Sequence, residues 1–436
     1  MQQFWIIVYN FFAIPLFWAA VHVLALFKPK IRRAIRGRKE LFTDLAHLMA
    51  ALPPGPRVWV HSSSMGEFEQ AKPIIAALKQ RLPAVRVIVS FFSPSGYEHS
   101  RNYPLADVIT YIPFDSRSGA RRFLDLVRPT AAVMVRYDIW PNHIWELRRC
   151  LIPVIIANAT MRRRTPRRLP LARSFHHYVY DAIDKILTVA ASDAEVFKAL
   201  RLTHPYLETI GDTRYDQVAA RSAEARKRSI IPPAVLAGKK VIVAGSTWPE
   251  DEDQLIPAFL RLRASMGHPM LILVPHEPTL EHLEDLERQL QGRATTIRFS
   301  ALNEYQDEEV VLVDSIGILL VLYAYAHLAY VGGSFRQGIH NVLEAAVYGI
   351  PVLFGPRHRN SHEPILLVER GGAFVINNAD ELHRTMANLL QDEMARTTAG
   401  ARAAAFVKAN LGATERILHH LAPYVTAGAP PHGGTS

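Results

Sequence analysis

Three places in this sequence set a small polar residue three positions before a glutamate: Ser64-Met-Gly-Glu67, Thr247-Trp-Pro-Glu250 and Asn341-Val-Leu-Glu344. Each follows an apolar run of strand character. The spacing is that of a capping box, in which the first residue caps a helix and the glutamate folds back onto its amide, an arrangement contributing about 1 kcal/mol. The same turn bares backbone N–H groups at a helix start, where a phosphate or another anion binds favourably. Structural capping and anion chemistry therefore share one pattern, and spacing does not separate them. Around the third turn, Gly332, Gly333 and Gly338 let the main chain approach a ligand closely. Neither a P-loop Gly-Lys-Ser/Thr nor a dinucleotide fingerprint accompanies these turns, which disfavours an ATPase or an NAD enzyme. No closely spaced His, Cys and Asp set is written for a metal, and His276 and His340 read equally well as hydrogen-bonding loop histidines.

Such turns need sheets to carry them. From Arg57 the chain alternates short apolar runs (RVWVHS, VRVIVSFF, AAVMVR, IPVIIANA) with amphipathic stretches, the signature of a parallel sheet covered by helices. A second series follows a charged stretch near residues 219–228: KKVIVAGS, PMLILVPH, EEVVLVD, LAYVGGS, IPVLFGP and GAFVIN. Residues 230–240, with Pro232, Pro233 and Gly238, read as the connection. The expected organisation is a membrane helix over 1–27, a first α/β domain over 28–225, a second over 226–426, and a disordered Gly/Pro-rich tail over 427–436. Two such domains facing each other would leave a cleft at the carboxyl ends of their strands, where ligands of open α/β sheets sit.

Phe4 to Phe27 contains no Asp, Glu, Lys or Arg, and as a helix it covers a hydrocarbon core of about 30 Å. Lys28, Lys30, Arg32, Arg33, Arg36, Arg38 and Lys39 follow at once, an arrangement that keeps the following body cytoplasmic and reverses the charge order of a cleaved signal peptide. Pro15 is expected to kink this anchor. The competing reading is a helix lying in the membrane interface or packed on the protein. A net charge of +10 suits anionic partners without naming one. Cys150, the only cysteine, excludes an intramolecular disulfide and reads as a buried structural thiol in a reducing compartment.

Taken in order, the motifs carry a resemblance. His61-Ser-Ser-Ser64-Met-Gly-Glu67, Ile139-Trp-Pro-Asn142, Ile156-Ala-Asn-Ala159, Gly245-Ser-Thr247, Val274-Pro275, Asp314-Ser-Ile-Gly317 and Val331-Gly-Gly-Ser334, continuing to His340-Asn341 and Leu343-Glu344, are similar to the series found in 3-deoxy-D-manno-octulosonic acid (Kdo) transferases. The resemblance implies the GT-B fold, two Rossmann-like domains about a central cleft, with the acceptor mainly on the first and the CMP-sugar mainly on the second. It implies transfer of Kdo from CMP-Kdo onto a lipid A precursor at the inner membrane, and neither a cofactor, a metal nor nucleic acid. By position, Glu67 is implied as catalytic base and Arg214 as the cation steadying the transition state. Pro275, His276, Ile316, Gly317, Ile318, Asn341, Val342, Leu343 and Glu344 are implied at the donor site, with Ser246 and Thr247 beside them. Arg136-Tyr-Asp138 stands where the family has Glu-x-Glu, Pro275-His-Glu-Pro278 where it has Pro-Arg-His-Pro, and Ile318 where a glutamate is common, so the resemblance is to a divergent branch. Another GT-B transferase or an epimerase using UDP, and a catalytically silent binding protein of the same fold, remain as alternatives.

Overall fold

The structure is a computed structural model that describes residues 2–161, 169–336 and 338–426. The tail expected to be disordered, 427–436, lies outside the described residues. The first sheet consists of β1 Arg57–Ser62, β2 Arg86–Phe91, β3 Val108–Tyr111, β4 Ala131–Val135, β5 Val154–Ala159, β6 Lys185–Thr188 and β7 Tyr206–Thr209. Its order is β3-β2-β1-β4-β5-β6-β7 and its recorded pairings are parallel. Strand residues alternate between two apolar layers: Trp59, Ile88, Met134 and Ile156 enter one, Val58, Val60, Val87, Val133 and Ile155 the other. A sheet buried on both faces reads as the near-continuous apolar runs seen in the sequence.

The second sheet has β8 Lys240–Thr247, β9 Pro269–Pro275, β10 Thr296–Arg298, β11 Val310–Leu312, β12 Leu328–Val331, β13 Val352–Phe354 and β14 Ala373–Val375. Its order is β10-β11-β9-β8-β12-β13-β14, again with parallel pairings. Both sheets reverse direction beside their first strand, between β1 and β4 and between β8 and β12. At such switch points the carboxyl ends of adjacent strands splay their following loops apart and leave room for a ligand.

The chain divides into two units, but not where composition suggested. The first takes in Met1–Gln217 and resumes at Leu411, while the second is Val218–Asn410. The closing helix Ala413–Thr426, expected with the second domain, sets Ile417, Leu418, Leu421 and Val425 into the apolar layer that holds Ile74 and Leu78 of the helix Met65–Arg81. Asp216 secures its start by accepting from Gly412 N and Thr414 N, both at 2.7 Å. These spacings make one apolar stripe on the helix, and the matching stripe is in the first unit.

An apolar helix runs over Gln2–Phe27, long and apolar enough to cross a membrane. Ahead of Pro15 it is wound as a π-helix over Tyr9–Ala13, which absorbs the missing proline N–H without ending the helix. Cys150, expected in the core, is half-buried because it sits just past the end of the helix Pro141–Arg149, where burial raises its thiol pKa.

Candidate active site

At the first switch point β1 runs into the helix Met65–Arg81, and here the capping box forms as the spacing predicts. Ser64 Oγ accepts from Glu67 N at 3.4 Å, while Glu67 Oε2 accepts from Ser63 N at 2.7 Å and Ser64 N at 3.2 Å. One oxygen takes both amides, so among the described residues Oε1 is left without a hydrogen bond. Only 5% of Glu67 is exposed. Burial first, and the Asp138 charge second, raise its pKa above the usual glutamate value, against the pull of the Ser63 and Ser64 amides and of His61. A carboxylate so placed is a stronger base than a solvated one. Gly66 beside it has ordinary helical geometry, and a Cβ there would meet nothing within 4 Å. The fold does not require glycine at this position.

The neighbouring groups come from the end of β4. Trp140 Nε1 donates to His61 Nε2 at 3.1 Å, and since an indole N–H can only donate, the His61 ring proton is on Nδ1, toward Ser90 Oγ at 2.8 Å. Asp138 Oδ2 stands 3.6 Å from the same Nε2 and finds no hydrogen-bond partner, and Arg136 Nε is likewise buried and unpaired among the described residues. Arg136 also holds a left-handed backbone, φ 68°. Strain and orphaned polar atoms concentrate beside Glu67, a pattern typical of sites that complete themselves on a ligand.

Arg214, expected near this base, opens the helix Thr213–Ala225 and is held by Asp212, which accepts from its backbone N at 2.9 Å and from Nε and a terminal guanidinium nitrogen at 2.9 and 2.8 Å. Its neighbour Thr213 is fully buried. Asn158, at an irregularity in β5 with φ 53°, donates to Thr213 Oγ1 at 2.7 Å and accepts from Thr213 N at 3.2 Å, and Thr213 Oγ1 donates to Gln70 O at 2.7 Å. The Ile156-Ala-Asn-Ala159 motif is thus a clamp between β5, the Glu67 helix and the Arg214 helix.

In the second unit the other two expected boxes do not form. At the second turn the N-cap is Trp248, and Asp251, not Glu250, closes the box by accepting from Trp248 N at 3.0 Å. Asp251 is buried and also accepts from Tyr330 OH and Gly333 N, both at 2.8 Å, so it moors the glycine-rich loop. Burial raises its pKa against those bonds. Glu250 turns outward to Arg336 at 3.5 Å. At the third turn Asn341 Oδ1 accepts from Leu343 N at 3.1 Å, the helix is only Leu343–Ala346, and Glu344 pairs with Arg221 at 3.7 Å instead of folding back.

Nor do all the glycines serve a ligand. A Cβ at Gly332 would come within 2.3 Å of Ser246 O, so that glycine lets the β12 loop rest on the β8 bulge, where Ser246 itself has φ 54°. Gly333, with φ 93°, lies against Gly338 O and His340. Around this contact the expected donor residues gather. His276 N donates to Thr247 O at 2.9 Å, the His276 ring stacks between Trp248 at 4.8 Å and His340 at 4.5 Å, and the Arg336 guanidinium lies 4.6 Å over Trp248. Trp248 Nε1 donates to His340 Nε2 at 3.0 Å. Burial, and His276 next, lower the His340 pKa, which favours a neutral ring. Pro275 ends β9, and Ile316, Gly317 and Ile318 form the exposed loop after β11, leading to Leu319, which packs over Gly245. Val342 and Leu343 are buried and shape the turn from beneath.

Two units, each a doubly wound parallel sheet with its motif residues at the switch point, define the GT-B architecture of nucleotide-sugar enzymes. The solved UDP-GlcNAc 2-epimerase from Neisseria meningitidis, bound to UDP-GlcNAc, shares it with a TM-score of 0.54 at 14% identity, over 84% of this chain and 100% of that one. Residues 34–217 match the family model described as 3-deoxy-D-manno-octulosonic-acid transferase (kdotransferase). The 3-deoxy-D-manno-octulosonic acid transferase of Haemophilus influenzae is 26% identical over 94% of this chain and 96% of its own. That of Aquifex aeolicus is 29% identical over 76% of this chain and 86% of its own. By these matches the chain is similar to the Kdo transferases along most of its length, and it is an enzyme of the glycosyltransferase class.

Proposed function

We propose that the chain transfers Kdo from CMP-Kdo to a sugar hydroxyl of a lipid A precursor, with inversion, at the cytoplasmic face of the inner membrane. The observation that carries the reading is the Glu67 carboxylate at the switch point: one oxygen is fixed by two amides, the other makes no hydrogen bond among the described residues, and burial strengthens it as a base. Glu67 removes the acceptor hydroxyl proton as that oxygen attacks the anomeric carbon. The bond from that carbon to the CMP phosphate breaks, and CMP leaves with the electron pair. Positive potential, not an acid, meets the departing phosphate, and Arg214 supplies it in an orientation fixed by Asp212. In the second unit, the ledge built by Ser246, Thr247, Pro275, His276, Ile316 to Ile318 and Asn341 to Glu344 receives the nucleotide. Its stacked rings offer a flat face, and Glu344 accepts from sugar hydroxyls on exchanging Arg221 for them.

Incubating the protein with CMP-Kdo and a tetraacylated lipid A precursor and weighing the lipid product by mass spectrometry tests this directly. One or more Kdo increments are expected, with inhibition by CMP and not by UDP. Inhibition by UDP alone, without an increment, transfers the chain to the epimerase-like reading that its structural relatives favour.

A further inference from the structure

The Gln2–Phe27 helix is two-sided in a way a membrane span is not. Along one side it is bonded to the first unit. Trp5 Nε1 donates to Ser174 Oγ at 3.0 Å, Tyr9 OH to Asp115 Oδ2 at 2.8 Å, and Asn10 exchanges amide hydrogen bonds with Asn142 at 2.9 and 3.0 Å. Tyr9 stacks on Phe175 at 5.5 Å, and further along Trp18 meets Phe114 at 5.7 Å. At about 1.5 Å per residue, the stretch from Trp5 to Trp18 runs roughly 20 Å beside the folded body, most of a hydrocarbon core of about 30 Å. Were the helix to cross a bilayer in this state, the buried Asp115 carboxylate and its partner His143, 2.7 Å away, would be drawn to membrane depth. Were it to undock and cross, Asn10 and Tyr9 would enter hydrocarbon without their partners. The opposite side is bare: Phe4, Phe11, Phe12, Leu16, Leu26 and Phe27 are 56–77% exposed. Directly after it, Lys28, Lys30, Arg36 and Lys39 are exposed, whereas Arg38 is spent inside, donating to Ile112 O and Phe92 O.

We infer that this helix does not span the membrane: it stays docked on the first unit and lies in one leaflet, its Phe-rich face in the acyl boundary and the adjoining basic helix Pro29–Arg36 on anionic headgroups. The occupant of the bare face is an anionic lipid surface, because an apolar face bordered by exposed cations complements that and not a second basic copy of this chain.

The test uses the full chain in sealed membranes, with Gln2→Cys or, as the reporter of the body, Lys227→Cys, each in a Cys150→Ser background. A maleimide that cannot cross membranes should reach both positions from the same side. Labelling of Gln2→Cys from the opposite side overturns the inference. Purified protein should float with phosphatidylcholine vesicles containing phosphatidylglycerol, and each of Lys30→Gln, Arg36→Gln and Lys39→Gln should weaken that binding about fivefold. Binding unchanged in the triple variant, or burial of the face by dimerisation without lipid binding, sinks the assignment of the partner.

Discussion

If Glu67 both caps its helix and takes the proton, the two duties separate by substitution. In the Glu67→Gln variant the side-chain amide oxygen can still accept from Ser63 and Ser64, so the melting temperature should hold while turnover falls by a factor of about 100 or more. Glu67→Ala should lose the same activity and about 1 kcal/mol of stability besides, read from urea unfolding. Near-normal turnover in the glutamine variant removes Glu67 from the chemistry. The raised pKa has a sign that can be checked. The base acts when deprotonated, so the acid limb of kcat/KM should lie above the ordinary glutamate range, and Asp138→Asn should move it down by withdrawing a repelling charge. An acid limb that stays in place in that variant contradicts the pairing. For stability the sense is opposite. A carboxyl whose folded-state pKa is raised favours folding fully below its unfolded pKa, and that contribution is lost as pH rises through the folded value.

At the scale of elements, legibility depended on how many residues competed for one role. The first box could be read because, of Ser62, Ser63 and Ser64, only Ser64 has a carboxylate three positions on. In the second, Glu250-Asp251-Glu252-Asp253 offers four carboxylates in a row, and a shift of one residue decides which closes the box. The signal that resolves it is Pro249, which belongs at the first helical position and so makes Trp248 the cap and Asp251 its partner. The third turn was misread because the helix after it is a single turn and Glu344 has a cation within reach. Strand positions were plain, since sheets buried on both faces write uninterrupted apolar runs. The role of Asn158 was not, because its partner Thr213 is fifty-five residues away. Asn158→Ala leaves the buried Thr213 amide unpaired, and a loss of about 1–3 kcal/mol is expected in urea unfolding. Activity should also fall, because the helix carrying Arg214 is no longer held. A variant as stable as the parent would show that this clamp is not needed.

For the whole molecule, composition disclosed two α/β units and an apolar first helix but not the return of the chain, because an amphipathic helix does not announce which sheet it will cover. Removing everything after Asn410 should leave the second unit folded and the first without four apolar residues of its core. Limited proteolysis should then clear the Glu67 unit while sparing the other. Equal resistance of both would mean that the closing helix is dispensable. The same arrangement sets an order of events at the ribosome. Ile74 and Leu78 emerge early, yet the side chains that cover them, Ile417 and Leu421, are translated only after the whole second unit has been made. The first unit must therefore wait, with one greasy flank open, until residues 411–426 have been made, and the nascent chain's need for chaperones should be greatest while the second unit is being translated.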